Sequence, residues 1–523
     1  MELSFTFGEV LWSFATSFLS IWTLYISVLF LYRITFHPLA KFPGPKLAAM
    51  SFAYEFWFDV VRGGRYTKQI LRMHEKYVRI NPEELHCNDP NFVDTVYASG
   101  NHRRNKSPQY VFAYPALFKS TEGSLDHDHH RMRNAAMSRC FSRSRICQIE
   151  NLVHEKTHRL CDKILALRGC EPFRIVDAYS CFTADMISEY LFGESDGYLD
   201  LPGWEPNYRS LVDAFERNIH IFRHVHGLAS LAEKLPLFLT NWLSKELKTI
   251  AIDVKVTLPK KIQKAMKLSD AVVYSTPSIM STMLASSLPS SEKTLGRLTG
   301  EAMSLMAGGT ESTSVTLTLF TFHILSNPIY YHRLLEEISA ITASPSEIPD
   351  WKSLEKLCFL NAVMLECLRL LPGVSGRSPR IATDEDLIYD GANSSRPTYV
   401  IPRGYPVSMS TYILHMDESI FPNAKDFVPD RWLDETGNVN RILERRLLSF
   451  SRGNRQCIGR QLALCELHVC AAAMILRVFP YMELFETSRV DVDYDHDELI
   501  GKPSPQSKGV RVRVRDSGPG IQQ

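Results

Sequence analysis

Several signatures of common chemistry are missing from this chain of 523 residues. There is no CxxC pair and no zinc-finger-type Cys/His spacing, so no structural zinc module is encoded. No P-loop and no GxGxxG occurs, which argues against a nucleotide-binding or flavin domain of its own. Any electrons the protein uses must then come from a partner. Charge of one sign is also lacking: the formal net charge is +1, and nothing argues for nucleic-acid binding. No Gly/Ser-rich or Pro-rich linker and no internal repeat interrupts the sequence, so one large unit is expected after the N-terminus. The 11 cysteines are odd in number and scattered, which fits reduced thiols in a cytosolic environment better than a disulfide framework. What is present is globular composition, 45% hydrophobic and 22% charged, enough to bury a large core.

The N-terminus is different. Val10 through Tyr32 carries no charge and is rich in Leu, Ile, Phe and Trp. As a helix this stretch spans about 34 Å, enough for a bilayer. A cleaved signal peptide would have a shorter apolar core and a small-residue cleavage site. Glu2 and Glu9 precede the span, whereas Arg33, Lys41 and Lys46 follow it. Positive charge stays on the cytoplasmic side, so the body is expected in the cytosol. Prolines between Phe36 and Pro45 stop the helix and stiffen the exit.

Residues 47–107 read as short strands and helices, with a strand and turn over Val78–His86 broken at Asn81-Pro82. Residues 125–290 read as mostly amphipathic helix, interrupted near Pro202 and Pro236. Helix continues to about Leu371, short strands and loops fill Ile381–Arg431, a last helix follows Cys457, and Val490–Val514 alternates in part like strands. The expected architecture is mainly α with small β-sheets (α+β). Its parts are an N-terminal anchor (1–34), a proline-rich hinge (35–46), a single domain (47–515) and a flexible tail (516–523).

The chemistry concentrates in Phe450-Ser-Arg-Gly-Asn-Arg-Gln-Cys457-Ile-Gly459, which places one cysteine just before an apolar helix. Iron held by a lone thiolate needs a backbone that passes close to the sulfur, which Gly453 and Gly459 allow. It also needs N–H groups and a cation to moderate the charge, for which Arg455 and the following helix start are candidates. The bland alternative is a buried structural cysteine on a turn. Phe450, Gly453, Arg455, Cys457 and Gly459, with Ala463 and Glu466 beyond, resemble the haem-binding loop of the cytochrome P-450 superfamily. The resemblance runs from about residue 30 to 514. The proline-rich segment Phe36–Pro45, Val78–His86 and Asp126–Arg133 look fungal, closest to trichodiene-oxygenase-type members of secondary metabolism.

Three further motifs extend it. Ala307 to Thr313 places two adjacent glycines in a helical run, at a cost of roughly 1 kcal/mol each, and looks like the family's [AG]Gx[DE]T. The resemblance implies that Glu311 and Ser312 relay protons during oxygen activation. Ser312 stands where Thr is usual, and Thr313 is a possible substitute. Glu366 and Arg369 lie on one helix face at i, i+3. Together with Arg431 of Phe427-Val-Pro-Asp-Arg-Trp432 they resemble a buried structural triad. The two haem propionates want basic partners: Arg455, Arg377 and Arg380 are candidates. His130 occupies the position where the family usually carries Trp, with Asn134 where it carries Arg, and Arg131 or Arg133 lies within a turn. A metal site at His127, His129 and His130 is disfavoured, because adjacent helical residues do not converge.

The resemblance implies a membrane-anchored haem-thiolate monooxygenase containing haem b. It would act on a bulky apolar small molecule, terpenoid or polyketide-like, lined by Tyr110–Tyr114, Phe215–Leu239, Leu305-Met306 and Val374-Ser375. Expected partners are an NADPH-cytochrome P-450 reductase, with cytochrome b5 as a second donor, and membrane lipid. The expected place is the endoplasmic reticulum membrane, single-pass with the catalytic domain cytosolic. The alternatives are a haem-thiolate isomerase or dehydratase, which usually loses the acid–alcohol pair, and a haem protein that binds ligand without turnover.

Overall fold

A computed structural model describes residues 7–74, 77–111, 115–225, 227–243, 245–269, 278–342, 344, 347–390 and 398–516. The apolar N-terminus forms one helix, α1 (Phe7–Thr35), exposed continuously over residues 11–25 and with Arg33 in its last turn. Its segment Leu11–Thr35 is long and apolar enough to cross a membrane. Arg460–Tyr481 passes the same test of length and composition, but 83% of it is buried, so it is a core element.

The body is helical with small sheets. Helix α2 (His127–Met137) starts at Asp126, whose carboxylate accepts from the His129 N–H at 2.9 Å. Helix α3 (Arg143–Leu165) is capped by Ser142. Helix α4 (Ile175–Phe192) is buried on almost every face and ends at Gly193 in the left-handed conformation. Helix α5 (Leu295–Leu325) is the longest in the body and packs most extensively on α4. Helix α6 (Cys358–Leu370) and helix α7 (Arg460–Ala473) both pack against α5. Among the described residues these helices share one contiguous apolar core. The breaks expected near Pro202 and Pro236 both fall between helices.

A five-stranded sheet stands beside the bundle. Its strands are β1 (Tyr77–Arg79), β2 (Leu85–Cys87), β3 (Arg104–Lys106), β4 (Arg380–Ala382) and β5 (Pro406–Ser408), in the spatial order β1-β2-β5-β4-β3. Only β2 and β5 pair in parallel. The β3–β4 register sets Lys106 opposite Arg380. A three-stranded sheet centres on Arg511–Val514, and the hairpin His496–Asp497 with Gly501–Lys502 returns toward α5. All 11 cysteines are free thiols.

Candidate haem-thiolate site

Cys457 sits between the short helix Gly453–Arg455 and the start of α7. Its own N–H donates to the Phe450 carbonyl at 2.9 Å, which closes the loop. Gly453 is held at φ +70°, and a Cβ there would lie 2.1 Å from the Tyr97 carbonyl oxygen. Its glycine therefore serves contact with the Tyr97–Ala98 backbone, not approach to the sulfur as the sequence led us to expect. The sulfur's neighbour is Gly459, whose Cβ would stand 3.9 Å from Sγ. Cys457 is exposed, yet protein surrounds it closely enough that burial pushes its thiol up to about 11. The N–H groups of Gly459 and Arg460 and the Arg460 charge oppose that shift. An accessible sulfur within a dense surround fits a metal ligand, whose proton a bound metal would displace.

The cation beside the thiol is thus Arg460. Arg455 is committed elsewhere: its guanidinium donates to the carbonyls of Arg104, Ser124, Leu125 and Asp126 at 3.2, 2.6, 2.8 and 3.0 Å. It ties the cysteine loop to β3 and to the N-terminus of α2. Burial and the neighbouring Arg380 lower it to about 10.

Lys106, His130, Arg380 and Arg455 converge around the carboxylate of Glu122, which also acts on Cys457. Lys106 forms the direct ion pair with Glu122. Burial first, then the Arg380 charge against the pull of Glu122, brings Lys106 down to about 8. His130 is buried and held at about 3 by burial and Arg455, so it is a neutral hydrogen-bond donor. Three cations and one neutral imidazole exceed what one carboxylate balances, which suits further carboxylates. Lys106 was missed from the sequence; its signal was alternation along β3, where one register step decides which side chain faces Arg380.

Other candidates go elsewhere. Arg377 is not brought to this cluster: burial in a pocket with Glu55 and Glu84 commits its guanidinium to those two carboxylates, Nε lying 3.0 Å from Glu84. Arg133 pairs with Glu292 at 2.7 Å, and Arg131 is exposed. The three histidines of α2 diverge. His127 Nδ1 faces the Arg104 N–H, His129 meets Glu292 at 2.8 Å, and His130 points to the basic cluster.

Across α5 the two glycines have separate tasks. Gly308 is exposed in the middle of a mostly buried helix, and nothing lies within 4 Å of where its Cβ would be. Leu305, Ser312 and Val315 are half-buried on the same helical face. This is the open stripe of an otherwise packed helix. Gly309 faces the opposite way, where a Cβ would come within 2.9 Å of Ile187 Cγ1 on α4. Thr313, four residues on, is buried on that packed face, and Thr183 of α4 donates to the Thr310 carbonyl at 2.9 Å. Ser312, not Thr313, is therefore the hydroxyl on the open stripe; it donates to the Gly308 carbonyl at 2.9 Å. Gly309→Ala is expected to destabilise the protein by about 1–3 kcal/mol through overpacking, read as a lower denaturation midpoint. Ile187→Ala in the same chain is expected to recover part of the loss. Gly308→Ala, by contrast, is expected to cost no stability.

Glu311 is buried and turned to a charged cluster. Arg209 lies 3.0 Å from Oε1 and Lys502 3.3 Å, and Lys502 also reaches Asp213 at 3.2 Å and Glu216 at 2.8 Å. Burial pushes Glu216 up to about 8 against the pull of Lys502. The acid next to Ser312 is thus wired to helix Arg209–Glu216 and to the C-terminal hairpin.

Behind the cysteine loop, Glu366 accepts from Arg369 at 2.8 Å on each oxygen, from Arg431 at 3.2 Å, and from Trp432 Nε1 and the Val428 N–H at 2.9 Å each. Trp432 is a fourth member that the sequence did not single out. Arg369 also donates to the carbonyls of His415, Ala424 and Asp426. His415, buried and neutral, accepts from the Leu448 N–H at 2.9 Å, which couples the cluster to the loop.

Of the expected cavity walls, Leu305 faces the stripe, whereas Met306 is fully buried in the core. Ser375 hydrogen-bonds Asp497, Val374 is exposed, and Phe215 is buried. Residues 112–114 lie outside the described residues, as does the tail from 517.

The donor set fits haem: the accessible Cys457 thiol, a basic cluster for carboxylates, and a stripe of α5 left open at Gly308. Residues 76–505 match the sequence model of the cytochrome P450 family. The chain is 42% identical over 456 residues to the cytochrome P450 monooxygenase ppzE of Metarhizium majus, covering 84% of this chain and 95% of that one. It is 37% identical over 494 residues to the tryptophan 6-hydroxylase fscE of Fusarium equiseti, with 92% and 93% covered. To the cytochrome P450 monooxygenase TRI4 of Fusarium sporotrichioides it is 32% identical over 490 residues, with 90% and 89% covered.

Proposed function

This chain belongs to the cytochrome P450 family and is a monooxygenase that uses haem, and on that premise we propose that it oxidises a bulky apolar intermediate of a fungal biosynthetic pathway at the face of the endoplasmic reticulum. Cys457 would hold the haem through its thiolate, and the group would supply oxygen activation there. Lys106, Arg380 and His130 would hold the propionates, and Arg455 fixes the loop that presents the sulfur. The open stripe of α5 would leave room for a small molecule beside Ser312. Ser312 holds a proton at its Oγ, parked on the Gly308 carbonyl, and can turn it toward the cavity. Glu311 keeps a charged route to Arg209 and Lys502 behind that hydroxyl. The Glu366–Arg369–Arg431 cluster is structural. One catalytic domain, residues 47–515, carries all of these groups.

The apolar character of the stripe favours a terpenoid or polyketide-like substrate. The relative named as a tryptophan 6-hydroxylase supports aromatic C–H bonds as a second target. Electrons come from an NADPH-cytochrome P-450 reductase, with cytochrome b5 as a second donor. Exposed Arg445, Arg446 and Arg460 around the cysteine loop suit an acidic partner. Arg33 in the last turn of α1, with Lys41 and Lys46 after it, supports a cytosolic catalytic domain.

The observation that carries this reading is an accessible Cys457 thiol together with Ser312 on the open face of α5 and the buried Glu311 beside it. Reconstitution with reductase, NADPH and isotopically labelled oxygen tests it. Label in the product is expected. An intact thiolate spectrum with unlabelled, rearranged product would instead establish the isomerase alternative. Ser312→Ala is expected to lower product formed per NADPH by about 10-fold or more, with Thr313→Ala close to the parent protein. The reverse order would reassign the hydroxyl.

A further inference from the structure

A cavity of about 230 Å³ opens away from the cysteine site, lined by Arg62, Arg65, Lys68, Gln69, Arg72 and Asp495 among others. Four cations meet a single carboxylate. That carboxylate is already taken, with Asp495 lying 2.8 Å from Arg65 and 2.9 Å from Lys68. Burial would raise Asp495, but Lys68 and Arg65 hold it down to about 2. Among the described residues Arg62 and Arg72 form no ion pair. The cavity therefore keeps an uncompensated positive charge that an anion would relieve.

Its wall is built rather than incidental. Gly63 and Gly64 take φ +63° and +70°, and a Cβ on Gly64 would lie 1.9 Å from the Asp497 carbonyl oxygen. The Gly64 N–H donates to Asp59, the Arg65 N–H to Phe58, and the Asp497 N–H to Gly64, at 2.8, 3.0 and 2.9 Å. The turn that carries Arg62 and Arg65 is thereby clamped to the C-terminal hairpin, so the cations are held in position before any ligand arrives.

Its surroundings indicate which anion. Arg33 at the end of α1 donates to the Met50 carbonyl at 2.7 Å, and continuous helix over Ala53–Val61 leads from there to Arg62. That helix exposes Trp57 and Val61 at 51% and 52%. Helix Ile219–His224, joined to it through His224 and Asp59 at 3.2 Å, exposes Ile221, and Val225 just beyond it is exposed too. Exposed Trp and aliphatic groups around a basic cavity, next to an anchor, match the layering of a membrane interface.

We propose that this cavity binds the phosphate headgroup of an anionic phospholipid and so fixes the orientation of the catalytic domain on the bilayer. The proposal rests on reading α1 as a membrane anchor. Lys68, with its side chain 32% exposed, is the reporter. Full-length holoprotein is placed in nanodiscs of phosphatidylcholine alone or with phosphatidylserine added, and amine acylation of Lys68 is compared with that of the distant, exposed Lys508. Phosphatidylserine is expected to slow Lys68 labelling by about fivefold or more and leave Lys508 unchanged. Arg62→Glu with Arg72→Glu is expected to remove that protection while the reduced carbon monoxide spectrum is kept. Equal labelling in both discs overturns the proposal. So does equal protection by inorganic phosphate in phosphatidylcholine discs, which would make this a free-phosphate site, or protection by added reductase without anionic lipid. Failure to enter discs of either composition would sink the anchor reading and the proposal with it; entry into both without protection sinks the proposal alone.

Discussion

Cys457→Ser is expected to abolish turnover and the strongly red-shifted band of the reduced carbon monoxide complex, while the protein remains folded. The thiol lies beside the N–H groups of Gly459 and Arg460, and its surround pushes it up to about 11. In that environment a thiolate would form when a metal displaces the proton to solvent. A serine hydroxyl titrates far higher than a thiol and is a poor partner for iron, so the same loop would hold haem weakly or through another residue. No product above background is expected in a reductase-supported assay. Cys465 and Cys470 lie close by in α7, but both are fully buried in the core. Their serine variants are expected to keep the band. Retention of the band in Cys457→Ser would place the iron on another side chain and remove the basis of the site.

Arg369→Ala is the second large effect. Both Glu366 and Arg369 are completely buried, and Arg369 satisfies three backbone carbonyls as well as the carboxylate. Truncation leaves Glu366 with Arg431 as its only cation and orphans the carbonyls of His415, Ala424 and Asp426. Removing one partner of such a pair costs about 3–5 kcal/mol. The cost is expected as a fall in the denaturation midpoint, with loss of haem in the same transition, because His415 connects this cluster to Leu448 at the start of the cysteine loop. A change below about 1 kcal/mol would show that the cluster behaves like a surface ion pair.

The elements that depend on local pattern were legible in the sequence. The uncharged run at the N-terminus, the helix after Cys457, the glycine pair in α5 and the i, i+3 spacing of Glu366 and Arg369 each carry their cause within a few residues. What escaped depends on chain segments far apart. Lys106 joins the basic cluster only because β3 pairs with β4 in one register. Arg377, a reasonable propionate partner by position, meets Glu55 and Glu84 from segments roughly three hundred residues away. Gly453 was assigned to the sulfur, yet the backbone it accommodates is that of Tyr97 and Ala98. The choice between Ser312 and Thr313 needed the position of α4, since adjacent helical residues differ in face but not in chemistry.

The contact at Gly309 bears on how such an enzyme diversifies. With a helix backbone seated directly on Ile187, the spacing of α4 and α5 has no slack, and a single enlargement there threatens folding before it alters selectivity. New substrates must be accommodated by edits on the other side of the rod, at Leu305, Gly308 and Val315 around a fixed Ser312, or in the connecting segments. The scaffold thus separates what must stay constant from what is free to drift, by half a helical turn.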